Sequence, residues 1–129
     1  MSETFSIEEL GELAIRVLAM PADTNPNGDI FGGWVVSQMD LAGLSVAARR
    51  SQSRVTTAAI DSIHFIAPVK VGDFICCYVK LLKVGRTSMQ VQVTTCALNP
   101  IDGIRRKVTQ GTFTYVAINL EGRPRPVDR

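Results

Sequence analysis

The stretch Gly32-Gly-Trp-Val-Val-Ser-Gln-Met-Asp-Leu-Ala-Gly-Leu-Ser-Val-Ala-Ala-Arg-Arg50 decides how this chain folds. Residues 34–50 contain no proline and one glycine, Gly43, and they end with two arginines that suit the negative end of a helix dipole. We therefore predict a helix over 34–50, about 25 Å long at about 1.5 Å per residue. Apolar side chains recur nearly all round it, a pattern typical of a helix that is covered on most sides.

A short apolar run precedes this helix, and four runs rich in Val, Ile, Thr, Phe and Tyr follow it, a composition typical of strands. The predicted strands cover residues 13–20, 54–66, 73–84, 87–98 and 106–118. A long helix inserted after the first strand must pack on the sheet that follows. We therefore expect an α+β fold in which an antiparallel sheet of about five strands wraps around one central helix.

Turn-forming residues separate these elements. Residues 21–28 are dense in Pro, Asn, Asp and Gly and predict an ordered loop before the helix. Residues 84–87 are a hairpin candidate, and residues 99–103 form a longer turn. The last segment, 121–129, contains two prolines and three arginines, so we expect it to be exposed.

The strand patterns predict that the chain assembles with itself. Met89, Val91 and Val93 alternate with Gln90, Gln92 and Thr94, so one face of that strand should be wet. Residues 74–79 and 58–66 show no such alternation. One helix covers one face of a sheet, and the second apolar face needs another cover, most simply a copy of the same chain. We therefore expect at least a dimer.

Composition predicts a single globular domain over residues 1–129. Apolar residues make up 46% of the chain and charged residues 20%, a balance that disfavours disorder. The net charge of +2 is too small to indicate a nucleic-acid partner, although local basic groups can still contact the phosphates of a small ligand.

Neither a membrane span nor a secretion signal is expected. Residues 1–12 are acidic and polar, and no stretch approaches the ~18 apolar residues of a spanning helix. The three cysteines, Cys76, Cys77 and Cys96, lack metal-ligand spacing, and adjacent strand residues point to opposite faces, so we expect unpaired, buried thiols. These features predict a cytoplasmic protein with no metal and no cofactor.

Asp40 is the strongest candidate for a catalytic group. It lies about two turns into the apolar helix, and its neighbours three and four residues away, Val36, Ser37, Gly43 and Leu44, include no cation. Burial of an unpaired carboxylate is costly, which favours a functional reason for it. Two alternatives stay open: an exposed edge position, or an arginine partner from elsewhere in the fold.

The glycine pair before the helix suggests a second part of a site. Gly32 and Gly33 allow close backbone approach, and unpaired N–H groups at a helix start favour an oxyanion. Gly32 precedes Asp40 by eight residues, about 12 Å along an ideal helix axis, too far for both to act on one small group in one subunit. Two adjacent subunits could bring them together. A plain turn is the alternative for the glycines.

Asn25 lies in Thr24-Asn-Pro-Asn-Gly28, where the alternatives are turn formation and an amide that orients a water or a carbonyl. His64, the only histidine, has no evident acidic partner and is expected to be structural. A serine triad and a glycine-rich phosphate loop have no matching motif. Basic residues that flank strand ends are either a solvated surface or a grip for phosphates, and they are Lys83, Arg86, Arg105, Arg106 and Lys107.

Three motifs carry a family resemblance that spans nearly the whole chain. The first and most specific is Pro21-Ala-Asp-Thr-Asn-Pro-Asn-Gly-Asp-Ile-Phe-Gly-Gly-Trp-Val-Val-Ser-Gln-Met-Asp40. The others are Phe65-Ile-Ala-Pro-Val-Lys-Val-Gly-Asp73 and Val84-Gly-Arg-Thr-Ser-Met89, and the match ends at Tyr115-Val-Ala. With these motifs the chain resembles the YciA-like acyl-CoA thioesterases, hotdog-fold enzymes that hydrolyse fatty acyl-CoA esters.

The resemblance implies roles for particular residues. Asp40 matches the catalytic carboxylate, Gly32 and Gly33 match the helix start that supplies N–H groups to the thioester oxygen, and Asn25 matches an assisting asparagine on the opposing subunit. A stretch near the pantetheine and phosphates of coenzyme A is matched by Gly85, Arg86, Thr87 and Ser88. Phe31 stands where some related enzymes carry His. The family also implies dimers joined edge to edge, commonly assembled into hexamers.

The expected reaction is hydrolysis of an acyl-CoA to a free acid and coenzyme A. Asp40 would act as general base on water or attack directly to give a mixed anhydride. One rival is a hotdog hydratase or dehydratase, which usually pairs an acid with His. The other is a non-catalytic acyl-CoA-binding module, which would bind without releasing thiol.

Overall fold

The computed structural model describes residues 7–128, and its elements follow the predicted order of strand, helix and four strands. They are α1 (Ile7–Leu10), β1 (Glu12–Leu18), a 3-10 turn (Pro21–Asp23), α2 (Gly32–Ser51), β2 (Arg54–Phe65), β3 (Phe74–Val84), β4 (Ser88–Leu98) and β5 (Arg105–Ile118). The short helix α1 was not predicted. The five strands form one antiparallel sheet in the order β1-β3-β4-β5-β2. The α+β arrangement expected from the sequence is therefore confirmed.

The long helix α2 packs along the sheet and starts two residues earlier than predicted, at Gly32. Its buried face includes Val35, Met39, Ala42 and Val46, which join the main apolar cluster with side chains from the sheet. The opposite side is not covered as the sequence suggested, because Leu41 is 54% exposed within the described chain. The helix therefore has one apolar side that residues 7–128 do not cover.

The two faces of the sheet bury different clusters. Cys77 belongs to the main cluster under α2, whereas Cys76 belongs to a second cluster on the other face. Both thiols are buried and unpaired, as predicted, and burial raises the pKa of Cys77 to about 11. The wet face expected for β4 is wrong at Thr94, which is 1% exposed, because it lies between its cross-strand partners Tyr78 and Gln110.

The C-terminal segment is more ordered than the sequence suggested. Val127 is 3% exposed, and its backbone N–H donates to the carbonyl oxygen of Arg86 at 2.8 Å. The N–H of Arg125 donates to Ala117 at 2.9 Å, and Asp128 pairs with Arg50 at 2.8 Å. The predicted exposure of 121–129 is therefore wrong at Val127. The prolines and arginines of this segment predicted exposure, but its one valine packs against the rest of the fold.

No helix within residues 7–128 has the length and apolar character needed to cross a membrane.

We expect Val127→Ala to lower the free energy of unfolding by about 2 kcal/mol, because it removes most of a buried side chain and leaves a gap behind. Chemical denaturation measures this. The matched control is Val71→Ala, at an exposed position, for which we expect a change below about 0.5 kcal/mol. Equal effects of the two substitutions would contradict the anchoring role of Val127.

Candidate active site

Asp40 is partly buried on α2 and is held by two hydroxyl groups. The Thr57 hydroxyl donates to its Oδ1 at 2.8 Å, and the Tyr115 phenol lies 2.9 Å from the same oxygen. The phenol also lies 2.7 Å from the backbone carbonyl oxygen of Asp40. Among the described residues, none of the ion pairs involves Asp40. The arginine partner considered from the sequence is thus not found within residues 7–128, and the carboxylate is bonded only by neutral donors.

The sheet and helix together place these two hydroxyls. Thr57 on β2 and Tyr115 on β5 are directly opposite each other in the antiparallel ladder. The Tyr115 ring stacks on Phe113, with centroids 6.4 Å apart. Gly43 leaves the space that the phenol occupies, since a Cβ there would lie 2.4 Å from the phenolic oxygen. The local sequence therefore brings one carboxylate and two hydroxyls to a single point.

The Tyr115 phenol is protonated, so it donates a hydrogen bond to Asp40 and does not repel the carboxylate as a second anion would. Burial is the largest cause that raises the pKa of its phenol, and the hydrogen bond to Asp40 and the charge of Asp40 raise it further. The phenol consequently stays protonated across the range in which proteins work, and its O–H is available to an acceptor.

The start of α2 presents unpaired backbone donors. Phe31 precedes the first turn, and its carbonyl accepts the N–H groups of Trp34 at 3.0 Å and Val35 at 3.3 Å. The N–H groups of Gly32 and Gly33 have no acceptor among the described residues. Free N–H groups at the positive end of a 20-residue helix form a favourable position for an oxyanion.

Asn25 lies in the loop before the helix and shares a cleft with Gly32. Its Oδ1 accepts the backbone N–H groups of Asn27 at 2.9 Å and Asp29 at 3.2 Å, so the turn role is realised. The side-chain NH₂ has no partner among the described residues and can donate to a ligand. The open cleft, about 330 Å³, is also lined by apolar residues that include Phe65.

Two exposed aromatic rings border the helix start. Phe31 is 56% exposed, and its ring lies over Gly33, where a Cβ would approach it to 2.6 Å. Phe65 is 58% exposed and lies over Gly32 in the same way, at 3.2 Å. Because Gly32 and Gly33 have no side chains, the two rings can pack against the start of the helix, and no glycine side chain covers the helix N–H groups.

The sequence-predicted residues fall into three separate groups within one chain. Asn25, Phe31, Gly32 and Gly33 gather at the start of α2, while Asp40 lies about 12 Å further along the helix axis. Asp40 is not among the residues that line the cleft. One described chain thus brings the amide and the helix start together but leaves the acid apart from them.

The third group is the hairpin between β3 and β4, at the other end of α2. The N–H of Gly85 donates to the carbonyl of Ser88 at 2.8 Å, and the carbonyl of Thr87 accepts from Ala117 at 2.9 Å. The C-terminal segment connects Arg86 to the end of the helix, where Arg50 pairs with Asp128. Because α2 spans about 30 Å, this hairpin lies far from Gly32 of its own chain.

Sequence reasoning missed Thr57, Tyr115 and Gly43. Thr57 and Tyr115 each resemble an ordinary strand residue, and they lie 17 and 75 residues from Asp40. The internal glycine three residues after Asp40 was the available signal, because a glycine inside a helix often marks a close approach. His64 is exposed, so it is not a buried structural histidine in this chain. No group of three potential metal ligands occurs among residues 7–128.

Comparison with known proteins identifies the family. Residues 27–102 match the thioesterase superfamily. The acyl-CoA thioester hydrolase YciA of Escherichia coli is 46% identical over 97% of this chain and 96% of its own length.

Solved structures agree with this match. HI0827, a hexameric broad specificity acyl-coenzyme A thioesterase, superposes with a TM-score of 0.89 at 47% identity, over 92% of this chain and 88% of its own. Cj0915, a hexameric hotdog fold thioesterase of Campylobacter jejuni, gives 0.86 at 42% identity, over 92% and 91% of the two chains. The fold is therefore the hotdog fold, and the chain belongs to the thioesterase superfamily as a YciA-like acyl-CoA thioester hydrolase.

Proposed function

We propose that this chain hydrolyses acyl-CoA thioesters to a free acid and coenzyme A, with Asp40 as the acting carboxylate. The observation that carries the proposal is the environment of Asp40, a partly buried carboxylate bonded by the hydroxyls of Thr57 and Tyr115, with no cation beside it in the described chain. A carboxylate that is not neutralised by an ion pair retains the basicity needed to accept a proton from water.

The proposed active site is shared between subunits. Because the helix start lies about 12 Å from Asp40 in its own chain, the oxyanion donors for one Asp40 must come from a second copy. The edge strand β2 offers a surface for it, since its outer edge pairs with no other strand within residues 7–128 and Ile60 is exposed there. HI0827 and Cj0915 are hexameric. We propose that this chain forms at least a homodimer, and that three dimers assemble into a hexamer.

In the proposed reaction Asp40 removes a proton from water, and the water oxygen attacks the thioester carbonyl carbon. The N–H groups of Gly32 and Gly33 from the other subunit bind the resulting oxyanion, and one such donor typically lowers the barrier by about 3 kcal/mol. The Asn25 amide orients the water or the carbonyl. The tetrahedral intermediate then collapses, the C–S bond breaks, and the coenzyme A thiolate takes up the proton that Asp40 removed from water.

Direct attack by Asp40 is the second form of the same proposal. Its carboxylate oxygen would displace the thiolate to give a mixed anhydride, which water then cleaves to restore the carboxylate. Either form uses only water and the substrate, without a cofactor.

Substrate binding would use the groups at both ends of α2. The exposed ring of Phe31 is suited to contact the acyl or pantetheine portion near the helix start. The hairpin residues Gly85, Arg86, Thr87 and Ser88 would hold coenzyme A, with Arg86 exposed and without a carboxylate partner in the described chain. HI0827 has broad specificity, and we propose that this chain also hydrolyses a range of acyl-CoAs.

The hydratase alternative finds no support in the described residues. His64 is exposed on β2 opposite Gln110, and it is not among the hydrogen-bond partners of Asp40. A cytoplasmic location stays a prediction, which the absence of a disulfide among the described residues supports, because disulfides are rare in that compartment.

We expect Asp40→Asn to lower kcat by about a hundredfold to ten-thousandfold, because the amide cannot accept the proton from water. Thiol release from short, medium and long acyl-CoAs measures it. Asp102→Asn, in the exposed turn between β4 and β5, is the matched control and should leave kcat unchanged. Near wild-type turnover by an oligomeric Asp40→Asn protein would remove Asp40 from the mechanism.

A shared site also predicts complementation between two damaged subunits. Asn25→Asp keeps the Oδ1 acceptor that organises the loop and removes the NH₂ donor. Co-expression of Asn25→Asp and Asp40→Asn chains should restore about one quarter of wild-type activity, since half of randomly formed dimers are mixed and each holds one intact site. Activity no higher than that of the separate variants would show that Asn25 and Asp40 of one chain act together.

The hairpin proposal predicts a selective effect on coenzyme A. We expect Arg86→Ala to raise KM for acyl-CoA about threefold to fivefold at low salt, and less at high salt, because an exposed ion pair with phosphate is lost. KM for an acyl-N-acetylcysteamine, which lacks the nucleotide, should not change. Arg123→Ala, another exposed arginine, is the control. An equal rise for both substrates would contradict phosphate contact.

A further inference from the structure

The two oxygens of the Asp40 carboxylate have different surroundings. Oδ1 accepts the Thr57 hydroxyl at 2.8 Å and lies 2.9 Å from the Tyr115 phenol. Oδ2 has no hydrogen-bond partner among the described residues. An oxygen that already accepts two hydrogen bonds from hydroxyls accepts a further proton less readily than one that accepts none, so Oδ2 is the better proton acceptor of the two.

Resting on the proposed hydrolysis, we infer that Tyr115 is a positioning residue that holds Oδ1 of Asp40 so that Oδ2 faces the reacting water. Gly43 is required because it makes room for the phenol. Tyr115 touches no reacting atom in this arrangement and acts through Asp40.

The competing acceptor for the phenol proton is the backbone carbonyl of Asp40, 2.7 Å away. That carbonyl lies inside α2, where the N–H of Leu44 is its regular helical partner. The carboxylate is charged and makes the stronger bond with a neutral donor. Contact with both oxygens also ties the side chain to its own backbone, which limits rotation about the side-chain bonds of Asp40.

The surroundings of Tyr115 suit a fixed donor. Its side chain is fully buried, its ring stacks on Phe113, and the raised pKa of the phenol keeps the proton in place. At Gly43, a Cβ would lie 2.4 Å from the phenolic oxygen and 2.9 Å from two ring carbons, so any larger residue displaces the phenol. A purely structural tyrosine would not need its hydroxyl aimed at a carboxylate.

Tyr115→Phe tests the inference because it removes the hydroxyl and keeps the ring. We expect kcat for thiol release to fall about tenfold to a hundredfold with little change in KM, since a hydrogen bond to a charged group is lost. Gly43→Ala should also lower kcat, because its Cβ would displace both the phenolic oxygen and the ring of Tyr115 from Asp40.

The matched control is Tyr78→Phe. Tyr78 is also a buried strand tyrosine, but it lies in the cluster on the other face of the sheet and its hydroxyl bonds to Arg105. We expect this variant to keep the wild-type kcat and KM, which separates the loss of a buried hydroxyl in general from the loss of this one.

A crystal structure of Tyr115→Phe supplies a readout that does not depend on activity, and it should show the Asp40 carboxylate rotated or spread over several rotamers. An unchanged Asp40 rotamer together with an unchanged kcat would overturn the role of Tyr115. Failure of the wild-type protein to release thiol from any acyl-CoA is a different result, since it overturns the proposed hydrolysis while the rotamer comparison still tests the positioning.

Discussion

The hydrogen bonds that hold the Asp40 carboxylate without neutralising it are the interaction on which the rest of this structure depends. A partly buried carboxylate needs partners, and a cation would satisfy it at the cost of its basicity. Here the partners are the hydroxyls of Thr57 and Tyr115, which lie opposite each other on β2 and β5. The helix supplies the acid, the sheet supplies the donors, and Gly43 allows the two layers to meet closely enough for contact.

The length of α2 is the second constraint. Its first N–H groups, at Gly32 and Gly33, have no acceptor among the described residues, and the acid follows about two turns later. The β3–β4 hairpin lies near its far end. A rigid helix cannot bring these three groups to one thioester. Assembly of two chains can bring them together. Within the described residues, the edge of β2 has no partner strand and Leu41 on the helix is exposed, so both leave surfaces for such assembly. In the proposed enzyme, oligomer formation therefore completes the site as well as the core.

The features with strong local signals were predictable, and those that depend on long-range pairing were not. The lack of proline and the apolar character of residues 34–50 predicted α2, and runs rich in Val, Ile, Thr, Phe and Tyr predicted the five strands. The sequence left open an arginine partner for Asp40, and the described fold shows none. Tyr115 was hidden because it continues the alternation of β5, so its role depends on a partner 75 residues away. The buried Val127 was missed for a related reason: its anchor is the carbonyl of Arg86 on a distant hairpin.

The most direct test of the account is a crystal structure of the assembled protein with a non-hydrolysable acyl-CoA thioether, in which the distance from Asp40 Oδ2 to the carbon that replaces the thioester carbonyl is measured. We expect about 3–4 Å for direct contact or about 5 Å with one water between them, and the helix-start N–H groups of the partner subunit on the other side of that carbon. A separation above about 10 Å, or an arginine of the partner subunit bonded to the carboxylate, would contradict the account, because no water could then be activated there.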